Sequence, residues 1–122
     1  MENQISFSTI GKDFAHELRD KINNSENIID LKNNFVYTVI NFMNKVFAEE
    51  QLSFDADDIT FDPNKDEFYL LNDRLLQNQQ FKKTWDNSDL KNVIGKFADS
   101  VKHRYIHLNK HNEKTNKKIR NP

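Results

Sequence analysis

The sequence predicts a mainly helical domain, a small bundle of about four helices with a short β-hairpin near residues 58–71. Apolar side chains recur at three- and four-residue intervals over three long stretches. Between the second and third lie two short β-prone runs that flank a proline-containing turn. The 122 residues suit one core, and no stretch is long enough to link two. Residues 1–111 are expected to form the compact unit and 112–122 a basic, flexible tail.

In the first stretch, Ser8 or Thr9 offers a hydroxyl cap, after which Ile10, Phe14, Leu18 and Ile22 recur every four residues and mark one helix face. Asn23-Asn24-Ser25 interrupts that pattern, and the Ser25 hydroxyl is a suitable cap for the next helix. From Glu26 to about Glu50, Ile28, Leu31, Phe35, Val39, Phe42 and Val46 form one stripe. Ile29, Val36, Ile40, Met43 and Phe47 form an adjacent one. So wide an apolar face belongs to a helix covered on more than one side, which makes this the central element.

After Leu52 the chain turns acidic, through Phe54-Asp55-Ala56-Asp57-Asp58. Ile59-Thr60-Phe61 and Phe68-Tyr69-Leu70-Leu71 then flank Asp62-Pro63-Asn64-Lys65-Asp66, which reads as a hairpin turn. Asn72 or Asp73 can cap a short helix that runs through Leu75, Leu76 and Phe81 to near Trp85. Asp86-Asn87-Ser88-Asp89 is a dense capping signal. Behind it, Leu90, Ile94, Phe97, Val101, Tyr105 and Leu108 define a last amphipathic helix, expected to fray after His111. The only two glycines sit in similar surroundings, Ile10-Gly11-Lys12 and Ile94-Gly95-Lys96, an echo read as coincidence.

Composition narrows the function classes. With no cysteine, the chain forms no disulfide, thiolate metal site or cysteine nucleophile. Two glycines leave no room for a P-loop or a dinucleotide-binding turn, which need the backbone close to phosphate. No window has the length and apolarity of a membrane span, so no membrane partner and a cytoplasmic location are expected. Abundant lysine and paired asparagines have A-rich codons and point to an AT-rich bacterial or phage genome. The formal net charge of −1 is unevenly spread: residues before Val101 sum to −7 and those from Val101 onward to +6. Such asymmetry points to an anionic partner for the basic end, or to contact with the acidic body of the same chain.

Four groups of residues carry possible chemistry. His103, His107 and His111 are four residues apart on one helix face, a spacing at which a pair can chelate Zn²⁺, with His16 or a carboxylate to complete the site. The first and last of the three are about 12 Å apart along the axis, and the same pattern fits a solvated polar face. No metal and no cofactor is expected.

Arg104 and His111, seven positions apart, form the second group. In these two residues the chain resembles the HEPN ribonucleases, small helical-bundle proteins with an Arg, a few intervening residues and a His on a late helix. The polar residue usual after the Arg is Tyr105 here. The resemblance implies Arg104 holding a scissile phosphate and His111 transferring the proton of a ribose hydroxyl.

Asp62 to Asp66, with Asp73 at the twelfth position, resembles an EF-hand-type calcium loop. It departs from that pattern at Pro63, at Glu67 in place of the glycine, and at Asp73 in place of the bidentate Glu. A solvated acidic turn accounts for the same residues. The fourth group is the basic segment Lys102, Arg104, Tyr105, Lys110, Lys114, Lys117, Lys118 and Arg120. Its lysines can contact phosphates and its tyrosine can stack on a base.

The reading these features favour is a non-catalytic binding protein of the inhibitor or immunity type. It would meet a partner protein's basic site through an acidic surface of Asp55, Asp57, Asp58, Asp62, Asp66 and Glu67. The alternative is an RNA-binding protein or metal-independent ribonuclease that uses the basic C-terminal helix with Arg104 and His111.

Overall fold

The computed structural model describes residues 6–50 and 52–120, with side chains described through Asn109. Its elements are α1 (Ser8–Asn23), α2 (Ile28–Val46), a single 3₁₀ turn (Ala48–Glu50), β1 (Ile59–Phe61), β2 (Tyr69–Leu71), α3 (Asp73–Gln77), α4 (Gln79–Asn87) and α5 (Leu90–Arg120). The fold is thus mainly helical with one two-stranded antiparallel hairpin, as the periodicity predicts. α1, α2 and α5 pack against one another, β1 lies on α2, and α4 rests on α5.

The predicted stripes face this core, except at Ile29, which is exposed near the start of α2. Leu18 and Ile22 of α1, Leu31, Phe35, Val39, Phe42 and Met43 of α2, and Leu90, Ile94, Phe97 and Val101 of α5 are all buried. Phe42 sits between Phe14 and Phe97, edge-on to both at 5.6 and 5.2 Å between ring centroids. A second aromatic group, Phe47, Phe54 and Phe81 with Trp85 stacked on it, closes the end of the bundle near the 3₁₀ turn. A third, Phe35, Phe61, Phe68 and Tyr105, joins the hairpin to α2 and α5. Edge-to-face pairs of this kind add about 0.5–1.5 kcal/mol each beyond the area they bury.

Several helix ends differ from expectation. Phe7, not Ser8 or Thr9, is the residue before α1, and no side chain of its own caps the helix. Instead Asp89, just before α5, accepts from the Phe7 N–H at 2.7 Å and from the Ser6 hydroxyl at 2.9 Å, so a carboxylate 82 residues further along the chain holds this terminus. Ser25 does not cap α2; its hydroxyl donates back to the Lys21 carbonyl, and Asn27 accepts from Asp30 N–H in its place. The helix expected from Asn72 to Trp85 is two. Asn72 caps α3 by accepting from Arg74 N–H, and Asn78 ends α3 and caps α4 by accepting from Phe81 N–H. α5 begins at Leu90, as its stripe requires, and its range includes the basic segment up to Arg120.

Gly11 is explained by close helix packing. A Cβ built there would lie 2.5 Å from Val93 Cγ1, so the missing side chain lets α1 approach α5. Gly95 has no such reason, since a Cβ there would meet nothing within 4 Å.

In the hairpin, Ile59 faces Leu71, Thr60 faces Leu70 and Phe61 faces Tyr69. Asp62 N–H donates to the Phe68 carbonyl and Asn72 N–H to the Asp58 carbonyl, extending the pairing at both ends. Phe68, expected within the second strand, precedes it with φ of 69°, a left-handed conformation that a bulky residue rarely adopts. Its buried ring, against Phe61 and Tyr105, offsets a backbone cost of about 1–3 kcal/mol with burial of similar size.

Candidate functional site

The acidic segment leaves the core at Phe54, whose backbone is held by the Asn44 amide of α2. Asn44 Oδ1 accepts from Phe54 N–H at 2.7 Å and its Nδ2 donates to the Phe54 carbonyl at 3.2 Å. From there the predicted acidic residues divide into two kinds. Asp55, Asp57, Asp66 and Glu67 are exposed, and Asp62 is partly so. Asp55 and Asp62 use one oxygen each to shape the chain, accepting from Asp57 N–H and Asn64 N–H two residues on.

Asp58 does not belong to that exposed surface. It is 2% exposed, its Oδ1 and Oδ2 accept from Arg74 Nε at 3.0 Å and Arg74 Nη2 at 2.6 Å, and it also accepts from Asp55 N–H. Burial pushes this carboxyl up; the hydrogen bonds from Arg74 and Asp55 N–H and the charge of Arg74 outweigh it, leaving the carboxyl below its ordinary value. Arg74 Nη2 further donates to the Ser53 carbonyl, and Asn72 Nδ2 to the Asp57 carbonyl. Residues 53–58 are thereby clamped onto the start of α3. Arg74 has no role in the reading of the sequence, because nothing local marks it as the partner of an aspartate sixteen positions earlier.

The EF-hand resemblance does not extend to the fold. Asp62 to Asp66 forms the turn between two strands instead of a loop between two helices, with Lys65 N–H donating to the Asp62 carbonyl and Phe68 N–H to the Lys65 carbonyl. Asp73 begins α3 behind the second strand. Among the described residues, no group of three or more His, Cys, Asp or Glu side chains could hold a metal ion. His103 and His107 are exposed on α5, His16 is exposed on α1, and the His111 side chain lies outside the described residues.

On α5, Lys102 and Tyr105 lie against the hairpin. Lys102 Nζ stands 5.6 Å from the centre of the Phe68 ring, and half-buried Tyr105 is edge-on to Phe61 and Phe68. A ring held in this way is less available to stack on a base than the freely presented tyrosine the sequence evokes. Arg104 points to the connection between α1 and α2, where its Nη2 donates to the Ser25 carbonyl at 3.0 Å and its Nε is buried with no partner among the described residues. One donor of the Arg104 guanidinium is thus committed within the chain. Side chains of Lys110, Lys114, Lys117, Lys118 and Arg120 lie outside the described residues.

Two features were not singled out in the sequence. Tyr37 and Leu70 are large apolar side chains that stay exposed, and so does Ile29, which the apolar stripe places on the covered face of α2. Tyr37 also borders a groove of about 520 Å³ between α2 and β1, with Val36, Ile40 and Ile59 among its walls and Asp57 at its rim. Tyr69 is the other. It is only 7% exposed, with its ring beside Phe35, and it lines a second cleft of about 550 Å³ between the hairpin turn and α5. Burial, and then the negative charge of Glu67, pushes its phenol up to about 12, so it keeps its proton at neutral pH.

No described helix is long and apolar enough to cross a membrane. The chain matches no protein-family model, no curated protein and no solved structure among those it was compared with.

Proposed function

We propose that this protein acts without catalysis, by associating with a protein that carries a basic site, in the manner of an inhibitor or immunity protein. The interaction uses the acidic surface formed by Asp55, Asp57, Asp62, Asp66 and Glu67, in the cytoplasm of a bacterial or phage-infected cell. One observation carries this reading: these carboxylates project from a short segment and none is in an ion pair among the described residues, where only Lys21–Glu17 and Arg74–Asp58 pair. Unneutralised like charges gathered on one hairpin segment steer an oppositely charged surface and speed its encounter. Exposed Tyr37 beside Asp57 supplies an aromatic side chain of the type that anchors protein interfaces.

The test is capture from a nuclease-treated bacterial lysate on immobilised protein. The wild type is expected to retain basic proteins that elute with rising salt. An Asp55→Lys, Asp57→Lys, Asp66→Lys variant is expected to retain none of them. Identical retention by both proteins overturns the reading, as does loss of every retained protein once nucleic acid is digested.

A further inference from the structure

The cleft beside Tyr69 differs from the rest of the acidic surface. Its floor and walls come from the hairpin turn and the first turns of α5, and it is bordered by Asp66, Glu67, Asp89, Asp99 and Gly95. Asp89 is already committed, since both its oxygens accept from Ser6 and Phe7. Asp66, Glu67 and Asp99 are exposed and make no ion pair among the described residues, even though Lys91 and Lys96 also border the cleft. Tyr69 is more than nine-tenths buried, yet its hydroxyl makes no hydrogen bond to a described residue and is not sealed in the core. Tyr69 lines this cleft together with Glu67, whose charge acts on its phenol.

Gly95 is the second observation. A glycine inside a helix costs about 1 kcal/mol relative to alanine, so only the space it leaves sets it apart here. Val93 supplies the packing reason at Gly11, whereas nothing stands within 4 Å of a Cβ at Gly95. What its missing side chain does is widen the cleft.

We propose that this cleft receives an arginine side chain of the partner protein, its guanidinium donating to the Tyr69 hydroxyl and to the carboxylates of Glu67 and Asp99. The proposal rests on the reading of the protein as a binder of basic partners and locates the specific contact within the acidic surface. Among the described residues no group of three such side chains could hold a metal ion, and the planar fork of a guanidinium, with five N–H donors, can bond a phenol oxygen and carboxylates together, where an ammonium offers a compact point charge. Because the phenol stays protonated well above neutral pH, its oxygen is a neutral acceptor that a buried wall can hold without an ionic desolvation cost.

The probe is a fluorescein-labelled tetra-arginine peptide, followed by anisotropy against the full-length protein, with tetra-lysine in parallel. Tyr69→Phe keeps the ring and is expected to weaken arginine-peptide binding about fivefold; Glu67→Gln with Asp99→Asn is expected to weaken it tenfold or more. Gly95→Leu, which the open space accommodates, is expected to raise the melting temperature and abolish binding. That combination separates a blocked cleft from a damaged fold. Asp55→Asn with Asp57→Asn should change affinity less than twofold. The assignment is overturned if the peptide does not bind, if Gly95→Leu and Tyr69→Phe bind it as the wild type does, or if tetra-lysine binds equally well. Should binding instead follow Asp55 and Asp57, the cleft is excluded while the acidic-surface reading survives. That reading itself falls only on the capture experiment.

Discussion

Along α1, α2 and α5 the chain is held by apolar side chains meeting across helix faces, with Phe42 set between Phe14 and Phe97. Residues 53–74 are held in another way. The strands are three residues each, and their position depends on Asn44 at one end, the Asp58–Arg74 pair at the other, and a few aromatic contacts between. The helical trio spreads its stability over many small dispersion contacts, so damage scales with the volume removed. The hairpin segment concentrates it in polar partners, so removing one leaves another buried and unpaired. The segment that carries the acidic surface is therefore also the one most sensitive to single charge changes.

The largest expected effect tests the first half of that contrast. Phe42→Ala should lower the unfolding free energy by about 3–5 kcal/mol in chemical denaturation, the range for a large buried aromatic. A loss below about 1 kcal/mol would mean that the centre of the core lies elsewhere.

Next comes the polar clamp. Arg74→Ala should cost about 2–3 kcal/mol, toward the low end for a buried pair because Arg74 is itself half exposed. Asp58 in the folded chain titrates below its ordinary value, so its contribution is present above about pH 4 and is lost as pH falls through the depressed value. The difference between wild type and Asp58→Asn should therefore shrink as an acid titration of stability proceeds. A pH-independent difference would contradict the clamp.

Gly11→Ala should cost about 1–3 kcal/mol through its overlap with Val93, and a Val93→Ala background should recover most of it. Equal costs in both backgrounds would show that helix approach is not set at this point. The smallest change has the opposite sign. The Thr38 hydroxyl is buried in α2 with no partner among the described residues, so Thr38→Val should raise stability by about 1 kcal/mol. A loss instead would reveal a hydrogen-bonding partner for that hydroxyl.

Much of the helical part is legible from local pattern. Ile94, Phe97 and Val101 are spaced for one helix face, and each is buried against α1 or α2. The hairpin was legible too, since Ile59-Thr60-Phe61 and Phe68-Tyr69-Leu70-Leu71 flank a proline turn, although the second strand begins one residue later, at Tyr69. The division of α3 from α4 was signalled by Asn78, a good cap in the middle of a helical run, but a single side-chain signal competes poorly with apolar spacing. The candidate site was legible only as composition. Asp57 and Asp58 are the same residue side by side in a turn, yet the first is exposed and the second 2% exposed, because only Asp58 folds back onto Asp55 N–H and the Arg74 guanidinium.

The sequence by itself determined which faces are apolar, where the hairpin turns, and that charge is split between an acidic body and a basic end. Those are properties of neighbours, read from periods of 3.6 and 2 residues. Only the tertiary structure decided that Asp58 meets Arg74, that Asp89 holds the start of α1, that Arg104 ties to Ser25, and that Gly95 and Tyr69 border one cleft. The partners in each of these are separated by 16 to 82 residues. What a polar group does depends on which distant group packing brings to it, and local propensity contains no record of that.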